Sequence, residues 1–314
     1  MHAMSHGKKT WIARMTPLLC LGAGCSVGLD GLTFDREPTG GSTTSSTSST
    51  TGTGGSGGAG GAGGSGSAGG SGGSAGSGGA CAPIGTLSDD FSAPSTLSDW
   101  QLLTTAESTP PLHNLLDIGT TTPGQLSMRP MQLDMNGWFA SYRGPFLYKQ
   151  VTGNFLIAAR VSAGTLANAG VAPSHLFNVA GVMARNPAGA PANWVLADVG
   201  YQNPADGDIA NLEVGVLAKD THNGNTTRVP FAGSHQGWIG ICRIGATFGI
   251  VHRLDGEAST TILTQFNRPD LPAELQVGLV VGTWTADSDV VGRFDSVHFM
   301  VPSSPADCEA CLTE

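Results

Sequence analysis

Hydrophobic and polar residues alternate in short segments along the chain from residue 81 onward, and Gly, Pro, Asn and Asp separate these segments. Alternation with a period of two is typical of half-buried strands, and no segment has the longer period of an amphipathic helix. The segments that best fit strands are 138–144, 155–163, 178–186, 193–202, 210–218, 237–245, 247–255 and 260–266, followed by two more within 276–299. The pattern predicts one all-β sandwich of two antiparallel sheets over residues 81–314.

The last two predicted strands lie in "QVGLVVGTWTADSDVVGRFDSVHF", and we interpret them as paired strands joined by an acidic loop. In "VGLVVG" the alternation places Gly278 and Gly282 on one face, which indicates close approach of a backbone, a bulky neighbour or a ligand. In "RFDSVHF" the alternation breaks, and this predicts a β-bulge near Asp295 and Ser296.

The first residues have the charge layout of a secretory signal: a basic start and an apolar run at 15–23, with no acidic residue before Asp30. The apolar run is too short for a permanent membrane span. It ends in "LGAGC", which resembles the lipobox of bacterial lipoproteins, so residues 1–24 are expected to be removed and Cys25 to be lipidated. The alternative is plain cleavage near Ala23. Both predict export.

Residues 25–80 are predicted to be a linker. From Pro38 to Ala80 this segment contains only Gly, Ser, Thr, Ala and a single Pro, so it cannot bury enough apolar surface to fold. A flexible chain of this composition has a typical reach of about 35 Å. An anchor followed by such a spacer predicts a domain displayed at the cell surface.

The charge of the chain excludes some partners. The formal net charge is −9, and removal of a signal containing Lys8, Lys9 and Arg14 lowers it to about −12. Nucleic acids and anionic membrane surfaces bind basic patches, so we expect no nucleic-acid partner and membrane contact only through the lipid anchor. The oligomeric state stays open.

Four cysteines follow the signal, and they allow three pairings. We favour a disulfide from Cys81 to Cys308 or Cys311, because these residues flank the predicted domain. Cys242 falls inside a strand pattern and is expected to be a buried small apolar residue. The sequence "CEAC" has no second cysteine pair or suitably spaced histidine, which argues against zinc.

The order of several segments resembles the concanavalin A-like jelly rolls grouped as DUF1349, a group related to laminin-G-type and glucanase-like domains. The segments that carry the resemblance are "DDFSAPSTLSDW", "GQLSMRP", "GPFLYKQVTGNFLIAARV", "AGVMARNPAGAPANWVLADVGYQ", "RIGATFGIVHRLDG" and "VGLVVGTWTADSDVVGRFDSVHF". The resemblance implies a jelly-roll fold but no one activity, because lectins, binding modules and hydrolases share this architecture. One departure is "EASTTIL" after Gly256, where the family usually has a tryptophan.

Glucanases of this fold class use carboxylates close together on one strand, in a pattern such as E-x-D-x-x-E. The chain has no such triplet; Asp198 and Glu213 each stand alone on a predicted strand. No serine lies in a G-x-S-x-G turn either. We therefore predict no catalytic residues. A glycoside hydrolase with an atypical carboxylate site remains the alternative.

Carbohydrate binding needs aromatic faces and polar side chains at their rim. In "NWVLADVGYQ" the alternation places Trp194 and Asp198 on one face, and Arg185 and Asn193 lie nearby in sequence. The predicted ligand-binding residues are Trp194, Asp198, Arg185, Asn193, Trp238 and Trp284. The alternative is that the tryptophans fill the core and that Arg185 pairs with an acid.

Calcium is a further hypothesis. Asp287 and Asp289 in "TADSDVV", and Asp206 and Asp208 in "PADGD", are loop acids, and the spacing within each pair would allow both carboxylates to turn toward one point. Calcium takes six or more oxygen ligands, so each pair alone is a weak site, and turn formation is the alternative.

The sequence as a whole predicts a non-catalytic carbohydrate-binding protein at the cell surface. A hydrolase and a structural or adhesive envelope protein are the alternatives.

Overall fold

The structure is a computed structural model, and it describes residues 81–107, 109–133, 136–202 and 213–312. The predicted signal, Cys25, the linker and the pair Asp206 and Asp208 lie outside the described residues. Two antiparallel sheets of eight and seven strands pack face to face, so the described part is an all-β sandwich, as predicted. No helix within it is long and apolar enough to cross a membrane.

The eight-stranded sheet contains strands from both ends of the domain. In spatial order its strands are β13 (Thr261–Asn267), β12 (Thr247–Leu254), β11 (Gln236–Ile244), β6 (Phe155–Thr165), β15 (Val290–Val301), β4 (Leu126–Pro130) and β3 (His113–Ile118), with β1 (Ala82–Pro83) paired to β15. The partners of β15 shift register between Phe294 and Ser296, which confirms the predicted bulge.

The seven-stranded sheet positions the candidate site. In spatial order its strands are β10 (Asn225–Ala232), β9 (Glu213–His222), β8 (Trp194–Gln202), β7 (Asn178–Arg185), β14 (Glu274–Gly282), β5 (Phe146–Thr152) and β2 (Gln101–Leu102). The helices within the described residues are short: a 3₁₀ helix at Pro94–Asp99, α1 (Leu103–Ala106) and α2 (Asp307–Ala310).

The core lies between the sheets, and strict alternation along the strands fills it. In β8, Val195, Ala197 and Val199 point into this core. Trp194 and Leu196 point away from it and yet are fully buried. They belong to a second apolar layer on the outer face of the seven-stranded sheet, composed of Leu103, Trp138, Phe146, Tyr148, Met183, Trp194, Leu196 and Val280. Apolar residues on both faces of a strand indicate that chain segments cover the sheet from outside.

Two strand predictions were wrong. Residues 138–144 form a loop with one isolated bridge, Phe139 to Tyr142, and this loop supplies part of the outer cover. The last two strands are not paired with each other, because β14 lies in the seven-stranded sheet and β15 in the eight-stranded sheet. The acidic loop therefore crosses from one sheet to the other. Alternation shows which side chains face the core, but it does not identify the neighbouring strand.

The cysteines form two disulfides. Cys81 is bonded to Cys311, with Cα atoms 5.3 Å apart, and Cys242 is bonded to Cys308, with Cα atoms 5.7 Å apart. Cys242 is buried, as expected, but it is a disulfide partner and not simply a small apolar core residue. Cys242 does lie in a strand, but its side chain points to the outer face of the eight-stranded sheet, where α2 brings Cys308 against it.

Candidate functional site

A pocket of about 310 Å³ opens on the outer face of the seven-stranded sheet. Three loops and three strands of that sheet form it. Its lining residues among those described are Gly137, Trp138, Phe139, Leu176, Phe177, Val179, Lys219, Arg228 and Trp284. Most are apolar or aromatic, and two are basic. Such a mixture is typical of small-molecule sites, in which a few polar groups orient a ligand on an apolar wall.

Backbone hydrogen bonds hold the three loops together. The Thr283 amide donates to the Asn136 carbonyl (3.0 Å), and the Trp284 amide donates to the Leu176 carbonyl (3.2 Å). The Ala140 amide donates to Thr226 Oγ1 (2.9 Å), which fixes the Phe139 loop on β10. The loop that carries Trp284 is therefore joined to both neighbouring loops.

Glycines permit the close approach of these loops. A Cβ atom on Gly282 would lie 3.2 Å from the Gly137 Cα, and one on Gly278 would lie 2.0 Å from the Leu147 carbonyl oxygen. The glycine face predicted from the sequence thus accommodates backbone, one of the three expected possibilities. At Gly282 that backbone is the pocket-lining loop itself.

Aromatic rings form the wall of the pocket. The Trp284 ring contacts Phe139, Tyr142 and Phe177 edge to face, with centroid separations of 5.6, 5.5 and 6.0 Å. Phe177 has a positive φ of 48°, which costs a non-glycine residue about 1–3 kcal/mol. Neighbouring contacts must therefore hold this ring in place.

The floor of the pocket contains a buried ion pair. Lys219 Nζ donates to Asp198 Oδ2 at 2.7 Å, and both side chains are at most 4% exposed. Burial raises the pKa of the Asp198 carboxyl above its usual value, and the Lys219 ammonium opposes that effect. Asp198 Oδ1 accepts no hydrogen bond from the described residues. The charges of Lys219 and Asp198 cancel each other. Of the two side chains, Lys219 lines the pocket, so an ammonium group and not a carboxylate reaches its surface.

Arg228 lies on β10 beside Lys219 on β9. Its guanidinium lies over the rings of Phe139 and Phe177, at 5.8 and 5.9 Å from their centroids. Among the described residues, its contacts are with these two rings, and it has no hydrogen bond or ion pair there. Its donors are therefore available to a ligand.

The predicted residues on the seven-stranded sheet have structural contacts. Trp194 is 1% exposed and packs edge to face against Trp138 at 5.4 Å. Arg185 is buried and donates to Gln276 Oε1 (2.6 Å) and Glu107 Oε1 (2.8 Å). These residues stabilise the outer layer and do not line the pocket.

Asn193 is also buried, and its Oδ1 accepts hydrogen bonds from the Asn223 amide (2.9 Å) and Arg268 Nη2 (3.1 Å). Trp238 lies apart from the others on the outer face of the eight-stranded sheet, with its ring 5.3 Å from that of His298. Of the six predicted binding residues, only Trp284 lines the pocket, and Asp198 contributes through Lys219.

The predicted metal residues differ in environment. Asp287 is exposed. Asp289 accepts hydrogen bonds from Asn178 Nδ2 (2.8 Å) and Ser174 Oγ (3.1 Å), and it lies 3.3 Å from His175 Nδ1. A carboxylate surrounded by N–H and O–H donors does not fit a metal ligand. Within the described residues, no three His, Cys, Asp or Glu side chains are grouped to hold a metal.

Sequence reasoning missed Phe139, Phe177, Lys219 and Arg228 as pocket residues. Lys219 and Arg228 meet because β9 and β10 pair in a register that places them opposite each other. The two phenylalanines reach the site from loops distant in sequence. The local pattern contains no signal for either arrangement.

Comparisons with known proteins support the fold. No family profile matches the chain, and no curated protein matches its sequence. Among solved structures, a GH43 protein from Bacillus licheniformis has a TM-score of 0.52 and 11% identity, covering 69% of this chain and 39% of that chain. A xylan β-1,4-xylosidase from Bacillus halodurans has a TM-score of 0.50 and 13% identity, covering 68% of this chain and 39% of that one.

A Lotus tetragonolobus seed lectin matches with a TM-score of 0.43 and 12% identity, covering 66% of this chain and 94% of that chain. The chain thus spans 39% of the length of the two Bacillus proteins. At these identities, similarity shows the fold alone. The described part of the chain has a concanavalin A-like jelly-roll fold.

Proposed function

We propose that the domain binds carbohydrate in this pocket without cleaving it. The observation that carries the proposal is the pocket wall, where Trp284 and Phe139 offer aromatic surface beside the unpaired donors of Arg228. Sugar rings present C–H faces that pack on aromatic rings, and their hydroxyl groups accept hydrogen bonds from basic side chains.

The lining supports binding rather than hydrolysis. Glycoside hydrolases of the usual kind place two carboxyl groups on either side of the scissile bond. Among the described residues that line the pocket there is no carboxylate, and Asp198 beneath it is paired with Lys219. The fold likeness to the xylosidase and the GH43 protein is compatible with a glycan ligand, which for this chain is part of the proposal.

Display outside the cell is the second part of the proposal. Two disulfides support an oxidising compartment, because such bonds are rare in the cytosol. We propose that residues 1–24 direct export, that Cys25 is lipidated and that residues 25–80 form the tether. Labelling of cells with a fatty acid, with Cys25→Ala as control, is the direct test.

A glycan array probed with the full chain, with and without calcium, tests the binding function. We expect Trp284→Ala to weaken binding at least about tenfold, because it removes the central ring of the wall. Trp238→Ala removes a partly exposed ring from the other sheet and is the matched control, so it should retain wild-type affinity.

If no glycan on the array is bound, either with or without calcium, carbohydrate binding is refuted. Equal losses in the two tryptophan variants would place binding outside this pocket. Binding that requires calcium would contradict the structural role given to Asp289, whose carboxylate is surrounded by hydrogen-bond donors.

A further inference from the structure

We propose that the pocket selects a sugar that carries a carboxylate, with Arg228 as the residue that recognises it. This inference rests on the proposed carbohydrate-binding function and names its ligand class. It depends on three observations: Arg228 has no polar partner among the described residues, the described lining has a net positive charge, and aromatic rings form the pocket wall.

Arg228 differs from the buried arginines of the domain. Its guanidinium is half-buried over Phe139 and Phe177, and it has neither an ion pair nor a hydrogen bond with the described residues. The buried arginines all donate to carbonyl or carboxylate oxygens: Arg185, Arg243, Arg268 and Arg293. Contact with two rings holds the guanidinium in place and leaves its N–H donors unused.

The charge balance makes the pocket positive. Lys219 is neutralised by Asp198 at 2.7 Å, so Arg228 sets the net charge. The described lining includes no acid, although the chain as a whole has a net charge of −9. Apolar walls keep water away and strengthen the attraction of the guanidinium for an anion.

The shape of the pocket indicates a sugar acid. The planar guanidinium matches the two oxygens of a carboxylate, and such paired hydrogen bonds are stronger than those to neutral hydroxyls. The aromatic wall of Trp284 and Phe139 suits the C–H face of a ring. A volume of about 310 Å³ is at the small end for ligand pockets, roughly 300–1,000 Å³, and fits the end of a glycan rather than a long segment.

Calorimetry with the full chain tests this selectivity. The probes are trisaccharides of galacturonate, glucuronate, mannuronate and guluronate, together with sialyllactose, each compared with its methyl ester. Esterification removes the charge and retains the ring. We expect at least one acid to bind roughly ten- to a hundredfold more tightly than its ester, which is the range for a charged hydrogen bond.

Arg228→Gln should remove this preference, because it should weaken binding of the acid much more than binding of the ester, which loses only hydrogen bonds to neutral groups. Arg228→Lys keeps the charge but not the planar fork, so it should retain only part of the preference. Arg160→Gln is the matched control: Arg160 pairs with Asp255 on the other sheet, so the variant loses the same charge away from the pocket. It should behave as the wild type.

Each remaining outcome is decisive. Equal affinity for acids and esters, or a preference that survives in both Arg228 variants, would overturn the inference and leave carbohydrate binding intact. Binding of sulfated trisaccharides but of no carboxylated sugar would overturn the choice of carboxylate. Failure of every glycan, neutral or acidic, would refute the proposed function as well.

Discussion

Trp194 and Trp284 show how one residue type serves two purposes on the same side of the domain. Trp194 is 1% exposed beneath Trp138, within the outer apolar layer. Trp284 is partly exposed in the loop between the sheets, with phenylalanine and tyrosine rings around it. The alternation of "NWVLADVGYQ" predicts the face of Trp194 but not its depth, because the loop that covers it comes from residues about 55 positions earlier.

Substitution of these two residues should therefore have opposite consequences. Trp194→Ala is expected to lower the free energy of unfolding by about 3–5 kcal/mol, because it leaves a large cavity under Trp138. Trp284→Ala should cost clearly less and act on ligand binding. Urea denaturation of both variants measures the difference, with Trp194→Phe as a milder control. Equal losses of stability would contradict this assignment of core and site.

Among the elements, the loop between β14 and β15 fixes one wall of the pocket. We call the contacts of its Asp289 with Ser174, His175 and Asn178 the clasp. Asp289 binds Asn178 and Ser174 and lies beside His175, so it fixes the segment that carries Phe177. Burial alone would raise the pKa of Asp289, but hydrogen bonds from His175, Asn178 and Ser174 outweigh that effect and hold the pKa below that of an ordinary aspartate. The acidic loop therefore has a structural role at the site.

Acid should release this clasp. Because the folded-state pKa of Asp289 is lowered, its contribution to stability is fully present above the pKa of the unfolded chain and is lost as the pH falls from there through the lower folded-state pKa. At neutral pH, Asp289→Asn should weaken ligand binding, since an amide cannot accept all these hydrogen bonds. An NMR titration of the Asn178 side-chain amide follows the release. Asp287→Asn, in the same loop but exposed, is the control, and equal effects of the two variants would refute the clasp.

The strands were the most predictable elements. Those from β6 to β9, together with β11 and β12, overlap predicted segments, because each buries alternate residues in the central core. β13 also overlaps a predicted segment, although its residues are only partly buried. Residues 138–144 have a similar pattern but bury Trp138 against the outside of a sheet, so they form a loop. The site itself was mostly unpredictable, since Phe139, Phe177 and Arg228 meet only through strand order and loop contacts.

At the scale of the whole domain, the disulfides join segments remote in sequence. Cys81 and Cys311 are separated by 230 residues and join the start of the described domain to the segment at α2. Cys242 and Cys308 are separated by 66 residues and fasten α2 to β11. Cys308 in α2 and Cys311 directly after it are buried with Leu156, Met300 and Leu312, so this short helix covers part of the outer face of the eight-stranded sheet.

Removal of either disulfide should destabilise the domain, and the bond that closes the longer loop should matter more. A cross-link restricts the unfolded chain, and this effect grows with loop length; we expect a loss of about 5 kcal/mol for Cys81→Ala with Cys311→Ala and about 4 kcal/mol for Cys242→Ala with Cys308→Ala. Denaturation with and without a reductant measures both losses. In the wild type the reductant should lower the midpoint of denaturation. In each double variant the reductant should lower this midpoint by a smaller amount. A denaturation midpoint unaffected by reductant would contradict this prediction and would show that packing of α2 suffices without the bonds.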